Sequence, residues 1–137
     1  MKTTNREINN DIHVLCAKAR SFPAGIMEAF SRIENADPAF CSRTFYGLSR
    51  GNSSGGIDYW AAVEQHEPGE KDKEGLATAV IKEGTYASIE VRNFREDTAA
   101  IGTAFRELLK HPQLDRNSFC VEIYENDNVV CMVRIHI

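Results

Sequence analysis

Long apolar runs are missing from this chain of 137 residues, and no stretch approaches the roughly 20 residues that a membrane-spanning helix needs. The opening MKTTNREINNDIH contains no apolar core of the length a secretory signal requires. These two absences make a soluble, cytoplasmic protein with no membrane partner the expectation. An excess of positive charge is absent too. Against 20 Asp and Glu stand 16 Lys and Arg, a net charge of -4. That balance argues against a general nucleic-acid binder, whose affinity rests on neutralising phosphates, and suits a cationic partner better. Metal and cofactor motifs are also lacking. The four histidines (His13, His66, His111, His136) do not stand at ligand spacing with one another or with the cysteines, and neither CxxC nor HExxH occurs. The glycine-rich GNSSGG does not follow a strand-to-helix phosphate turn, so no cofactor is implied. Cys16, Cys41, Cys120 and Cys131 are scattered, three of them inside apolar runs, as suits reduced core thiols better than a disulfide framework. No local signature marks a nucleophilic cysteine.

What is present is ordinary globular composition, 42% hydrophobic and 26% charged, in a length that fits one domain. The run 12–19, IHVLCAKA, reads as a strand. Ser21 offers an N-cap and Pro23 a first helical turn, and Ile26, Met27, Phe30 and Ile33 recur at helical spacing until Asn35, Asp37 and Pro38 break the helix into a loop. A strand from Arg43, a flexible connection at 51–56 and a strand over 56–64 follow. The charged segment 66–75, with Pro and two Gly, reads as a solvated linker and as the seam between halves of about 10–65 and 76–137. Beyond it, LATAVIKEGTYASIEVRNF predicts two strands about a turn at Gly84, the second over 86–94. A helix over about 97–110 carries Ile101, Phe105, Leu108 and Leu109 on one face and ends at His111-Pro112. FCVEIYEN and NVVCMVRIHI form a closing hairpin through Asn126-Asp127.

The halves repeat. VLCAKARSF from Val14 lies over YASIEVRNF from Tyr86, 72 positions later, and both end in Arg-x-Phe. IMEAFSRI from Ile26 lies over IGTAFREL from Ile101, 75 positions later, with Ile, Ala and Phe matched. Each half is then strand, helix, strand, strand. The expected fold is α+β: two such modules about a pseudo-twofold axis, an antiparallel sheet with helices on one face and a ligand cleft on the other.

Within FCVEIYEND a carboxylate, Glu122, stands in a run that otherwise resembles a strand buried on both faces. An ionised carboxylate stripped of water costs several kcal/mol unless it is compensated. Period two places Cys120, Glu122 and Tyr124 on one face and Phe119, Val121 and Ile123 on the other. The fully apolar set is expected to face the helices, which sends Glu122 and Tyr124 toward the cleft. The same alternation expects Trp60 on the helix-free side, and sets Tyr46 with Leu48. Three readings of Glu122 stay open: an ion pair with Arg134, a cation-binding site with aromatic walls, or exposure to solvent. A two- or four-residue hairpin loop pairs residues whose numbers sum to 253 and puts Arg134 on the other face; a three-residue loop brings it onto Glu122's face.

YGLSRGNSSGGIDYWAAVE, EGLATAVIKEGTYASIEVRNF, IGTAFRELL, HPQLD and FCVEIYENDN together resemble the GyrI-like effector-binding domain family, which includes the drug-sensing domains of AraC- and MerR-type regulators. Standalone integron-cassette members are closest in length and wording. The resemblance covers about 10–137 and implies a pair of strand-helix-strand-strand modules with a cleft for an amphipathic cation. Its acidic position matches Glu122, and its aromatic positions match Trp60, Tyr46 and Tyr124; Tyr86 matches a recurrent tyrosine with either a packing or a pocket role. About ten residues precede the first strand, too few for a helix-turn-helix module. The expected function is therefore capture of a cationic small molecule, without direct nucleic-acid contact and with a homodimer or a regulator as further partner. The alternatives are hydrolysis of reactive electrophiles through Glu122, and a gyrase-inhibitor-like protein-interaction module.

Overall fold

The computed structural model describes residues 1–71 and 75–137. The fold is α+β, and the chain divides into two compact units, one of residues 12–81 and one of residues 1–11 with 82–137. In the first unit, β2 (Ile12–Lys18), helix α1 (Ile26–Ala36), β3 (Phe45–Gly51), β4 (Ile57–Glu64) and β5 (Ala77–Ile81) form an antiparallel sheet of order β3-β4-β2-β5. In the second, β1 (Thr4–Ile8), β6 (Gly84–Val91), helix α2 (Ala99–Leu108), β7 (Cys120–Glu125) and β8 (Asn128–Ile135) give the order β1-β6-β8-β7. The two orders are the same pattern, since β2, β3, β4 and β5 correspond to β6, β7, β8 and β1. No helix among the described residues is long and apolar enough to cross a membrane.

Each sheet carries its helix on one face, and the repeat fixes which residues meet there. Leu15, Ala17 and Ala19 on β2 and just beyond it pack with Ala29 and Ile33 of α1. Ala87, Ile89 and Val91, each 72 positions later, pack with Ala104 and Leu108 of α2, each 75 positions later. Both offsets read from the sequence thus land on core contacts. Alanine at the close approach and a branched aliphatic one turn on let each helix lie against its sheet, and burying such an aliphatic side chain is worth about 1.5–3 kcal/mol.

Several elements differ from expectation. Helix α1 starts at Ile26 with Gly25 as its N-cap, because 21–24 form a turn in which the Gly25 amide bonds the Ser21 carbonyl. The expected loop after Asp37 is a short 3-10 helix, Pro38–Ser42, capped by the Asp37 carboxylate on the Ala39 amide. The strands flanking Gly84 exist but do not form a hairpin: β5 pairs with β2, whereas β6 pairs with β1 and β8. The division between units therefore falls at Ile81 and Lys82, not within 66–75. Residues 72–74 of that expected linker lie outside the described residues. Strand β1 was not anticipated. Its sequence TNREI offers almost no burial to detect, and it is held at the sheet edge by main-chain pairing to β6.

The part of 66–75 that is described has an anchor. Glu70 receives a bidentate pair from Arg43 at 3.0 and 2.8 Å and the amides of His66 and Glu67 at 2.8 and 3.0 Å. Arg43 foremost, and then those amides, hold the Glu70 carboxyl down at about 2, against the ordinary 4.5. A depressed carboxylate contributes stability that is complete above its unfolded value and disappears as pH falls toward the folded one. The Glu70→Gln variant is expected to melt lower than the parent at neutral pH, with the gap closing between pH 4.5 and 2 in thermal denaturation; a gap independent of pH would contradict this account.

Gly84 opens β6 at φ +140°, and a Cβ there would stand 2.8 Å from Arg134 Nε. That guanidinium cannot simply swing away, because Nε donates to the Glu83 carbonyl at 2.9 Å and Nη1 to Asp115 Oδ2 at 3.0 Å. Gly84→Ala is expected to cost about 2 kcal/mol through backbone strain and the displaced ion pair, lowering the melting temperature by several degrees. An unchanged melting temperature would show that the close approach carries no constraint.

Candidate functional site

The β7–β8 hairpin turns through Asn126 and Asp127, with Asn126 at φ 59°, and its two-residue loop sets the register that pairs Glu122 with Cys131. Cys131 belongs to the cluster packed with Ala104 and Leu108 of α2, and Cys120 and Tyr124 pack against the same cluster. Glu122, between them on β7, therefore lies on the helix-bearing face of its sheet. This corrects the expectation that it points to the helix-free side. The strand is covered on both faces: Val121 and Ile123 lie opposite Met132 and Val130, and all four are buried. Apolar character alone could not choose between the sides.

Glu122 is 8% exposed, and the Tyr124 hydroxyl donates a hydrogen bond to its Oε1. The carboxylate's charge is felt across the hairpin. Burial first, and then the proximity of Glu122, push the Cys131 thiol up to about 12, which keeps it neutral. The Tyr124 ring is met edge-on by Phe94, with centroids 5.4 Å apart and planes at 62°. Arg134 lies on the opposite face, its guanidinium engaged by Asp115 and the Glu83 carbonyl, so the three-residue loop that would bring it onto the face of Glu122 is not the one adopted. An acidic side chain on a largely apolar, helix-covered face, contacted by a phenol and bordered by Cys120 and the neutral thiol of Cys131, is chemically suited to compensate a positive charge.

The other anticipated residues are placed differently. Tyr86 lies opposite Arg134, on the helix-free face of the same sheet, 1% exposed, with its hydroxyl donating to the Lys82 carbonyl at 2.6 Å. Burial raises that phenol to about 12. In the unit of residues 12–81, Tyr46 pairs with Ala62, and Trp60 with Leu48 and Lys18, while α1 packs on Leu15, Ala17, Tyr59, Ala61 and Val63. Tyr46 and Trp60 thus share the helix-free face of that sheet, as alternation predicted. Lys18 Nζ and Arg50 Cζ lie 5.6 and 5.3 Å from the Trp60 ring centre, so the indole already interacts with two cations of its own chain.

Of the anticipated set, then, Glu122 and Tyr124 are brought together by their own strand. Sequence reading overlooked two rings. Phe94 ends the second Arg-x-Phe, a mark of the repeat in the sequence and a neighbour of Tyr124 in the fold. Tyr59 lies on the α1 face between Phe22 and Phe30, with centroid distances of 5.9 and 6.4 Å. The alternation that set Trp60 apart from Tyr59 held the necessary signal. In the repeat register, Glu122 corresponds to Gly47, which faces Ala61 as Glu122 faces Cys131, so only one module carries the carboxylate.

The family model described as integron-associated effector binding protein matches residues 5–137. No curated protein matches the sequence. Among solved structures, SAV2435 bound to tetraphenylphosphonium is similar with a TM-score of 0.68 at 8% identity, covering 99% of this chain and 94% of that one. An integron cassette protein from the mobile metagenome of Vibrio cholerae gives 0.67 at 14% identity, covering 98% and 95%. A putative transcription regulation protein from Staphylococcus aureus gives 0.61 at 9% identity, covering 98% and 99%. At such identities these likenesses establish the fold, and the family follows from the match along almost the whole chain: the protein belongs to the integron-associated effector binding proteins, a GyrI-like family.

Proposed function

We propose that this protein captures an amphipathic organic cation, with the Glu122 carboxylate as the countercharge. The observation that carries the reading is the burial of Glu122 on the helix-bearing face beside Tyr124. A delocalised cation loses little hydration on entering an apolar site, and a carboxylate there interacts with it far more strongly than in water. Membership of an effector-binding family supports a small-molecule ligand, and the similar fold of a protein solved with tetraphenylphosphonium supports its being a lipophilic cation. Tyr124 is proposed to hold the carboxylate in place.

A second reading is hydrolysis, favoured by the hydroxyl of Tyr124 on the carboxylate, a pairing able to activate water against an electrophile. Hydrolases from Listeria innocua share the fold at a TM-score of 0.56 and 8% identity in the better of two cases. The two readings part experimentally, since capture leaves the ligand intact.

Titration with tetraphenylphosphonium, followed by thermal shift and calorimetry, is expected to raise the melting temperature of the parent protein. Glu122→Gln should weaken binding by about thirtyfold or more, the scale for removing one member of a desolvated charge pair. Equal binding by the parent and Glu122→Gln would refute the charge mechanism. Consumption of an electrophilic substrate by the parent, lost in Glu122→Gln, would replace capture with turnover.

A further inference from the structure

The Arg-x-Phe that closes the first strand of each repeat has no part in the reading above, and the geometry points to one. We propose that Phe94 is a positioning residue, fixing the Tyr124 ring and through it the carboxylate of Glu122. The role deepens the proposed cation site and rests on that reading only for its functional meaning.

Phe94 sits in the connection between β6 and α2, the first residue of a short 3-10 helix, Phe94–Glu96. That connection is fastened to the β7–β8 turn at several points. The Phe94 amide donates to the Asp127 carbonyl at 3.1 Å, the Asn93 amide to Asn128 Oδ1 at 3.2 Å, and Arg95 Nη1 to Asp127 Oδ1 at 3.1 Å. Asn93 adopts φ 50°, a left-handed conformation that asparagine tolerates better than most residues. The Arg95 guanidinium lies 4.7 Å from the Phe94 ring centre, covering it from outside. Held this way, the ring meets Tyr124 edge-on. Tyr124 stands two residues before the turn and two after Glu122, and its hydroxyl ends on Glu122 Oε1. A tyrosine ring has two side-chain torsions to fix, and an edge-to-face neighbour restricts both at small cost. The chain of contact runs from the clamped connection to Phe94, to Tyr124, to the carboxylate.

The other repeat supplies an independent observation. Phe22, at the equivalent place in the first Arg-x-Phe, also meets a tyrosine on the helix-bearing face, Tyr59, at 5.9 Å and 31°. Tyr59 comes from β4, whereas Tyr124 comes from β7. The contact therefore recurs although the tyrosine's strand does not, which a mere inherited packing pair would not require.

The test reads the carboxylate itself and needs no ligand. The side-chain carbon signal of Glu122 is followed through a pH titration by NMR in the parent, Tyr124→Phe, Phe94→Ala, Phe94→Leu and the double variant Phe94→Ala/Tyr124→Phe. A hydrogen bond to the ionised form lowers a carboxyl's midpoint, so its loss in Tyr124→Phe should raise the midpoint by about one pH unit. Phe94→Ala should raise it in the same direction. Phe94→Leu, which keeps apolar volume but no ring edge, should do so while melting near the parent. The double variant should match Tyr124→Phe alone, because both changes act through one hydrogen bond. A parental midpoint in Phe94→Leu, additive shifts in the double variant, or no shift in Tyr124→Phe would each overturn the proposal. Should these midpoints move as expected while tetraphenylphosphonium fails to bind the parent, the functional reading falls and the positioning role stands.

Discussion

A carboxylate held away from water is the constraint around which the second unit is organised. Glu122 could have been replaced at little structural cost by the kind of aliphatic residue that flanks it on the strand, since desolvating an ion is unfavourable and apolar replacements of buried charges are often neutral or stabilising. Its neighbours suit that cost. Cys131, directly opposite, is small and stays protonated, Cys120 is small, and Tyr124 supplies a neutral donor. No second acidic residue stands in the equivalent place of the other module, where Gly47 faces Ala61. At this register position the duplicated architecture is chemically asymmetric.

The duplication also explains how the site is held. Each module is a strand, a helix and two further strands, and each sheet is completed by a fourth strand at the same edge: β5 beside β2, and β1 beside β6. That strand satisfies main-chain hydrogen bonds which the module's own segments leave open, the usual risk of an exposed sheet edge. The helices contribute through Ala29 and Ile33 in one module and Ala104 and Leu108 in the other. With the sheet closed at one edge and covered by its helix, the β7–β8 hairpin has a single register available. A one-residue slip would exchange Glu122 for Val121 or Ile123 on the helix-bearing face.

Much of this was legible in the residues. The offsets of 72 and 75 identified the repeat because core contacts demand apolar residues at the same places, and the turn at Asn126-Asp127 limited the hairpin to two registers, of which the two-residue loop is adopted. The acidic residue could be singled out because its chemistry conflicts with its surroundings. What could not be read has physical reasons too. β1 is polar and exposed, so its existence depends on a main-chain partner far along the sequence. The side to which Glu122 points was hidden because β7 is buried on both faces. The meeting of Phe94 with Tyr124 depends on the fastening of one connection to a distant turn, which no local pattern encodes. The resemblance to a family pointed to Glu122 as an acidic position, and Tyr124 meets it, whereas Tyr86 lies on the opposite face of the same sheet.

The central claim is that a fixed negative charge selects the ligand. Its most direct measurement is calorimetric binding of a matched pair of similar shape, tetraphenylphosphonium and the neutral triphenylphosphine oxide, to the unaltered protein at one pH and ionic strength. The cation is expected to bind at least about tenfold more tightly, in proportion to a charge interaction in a site poor in water. Equal affinities for the two would contradict it, and would reduce Glu122 to a structural residue.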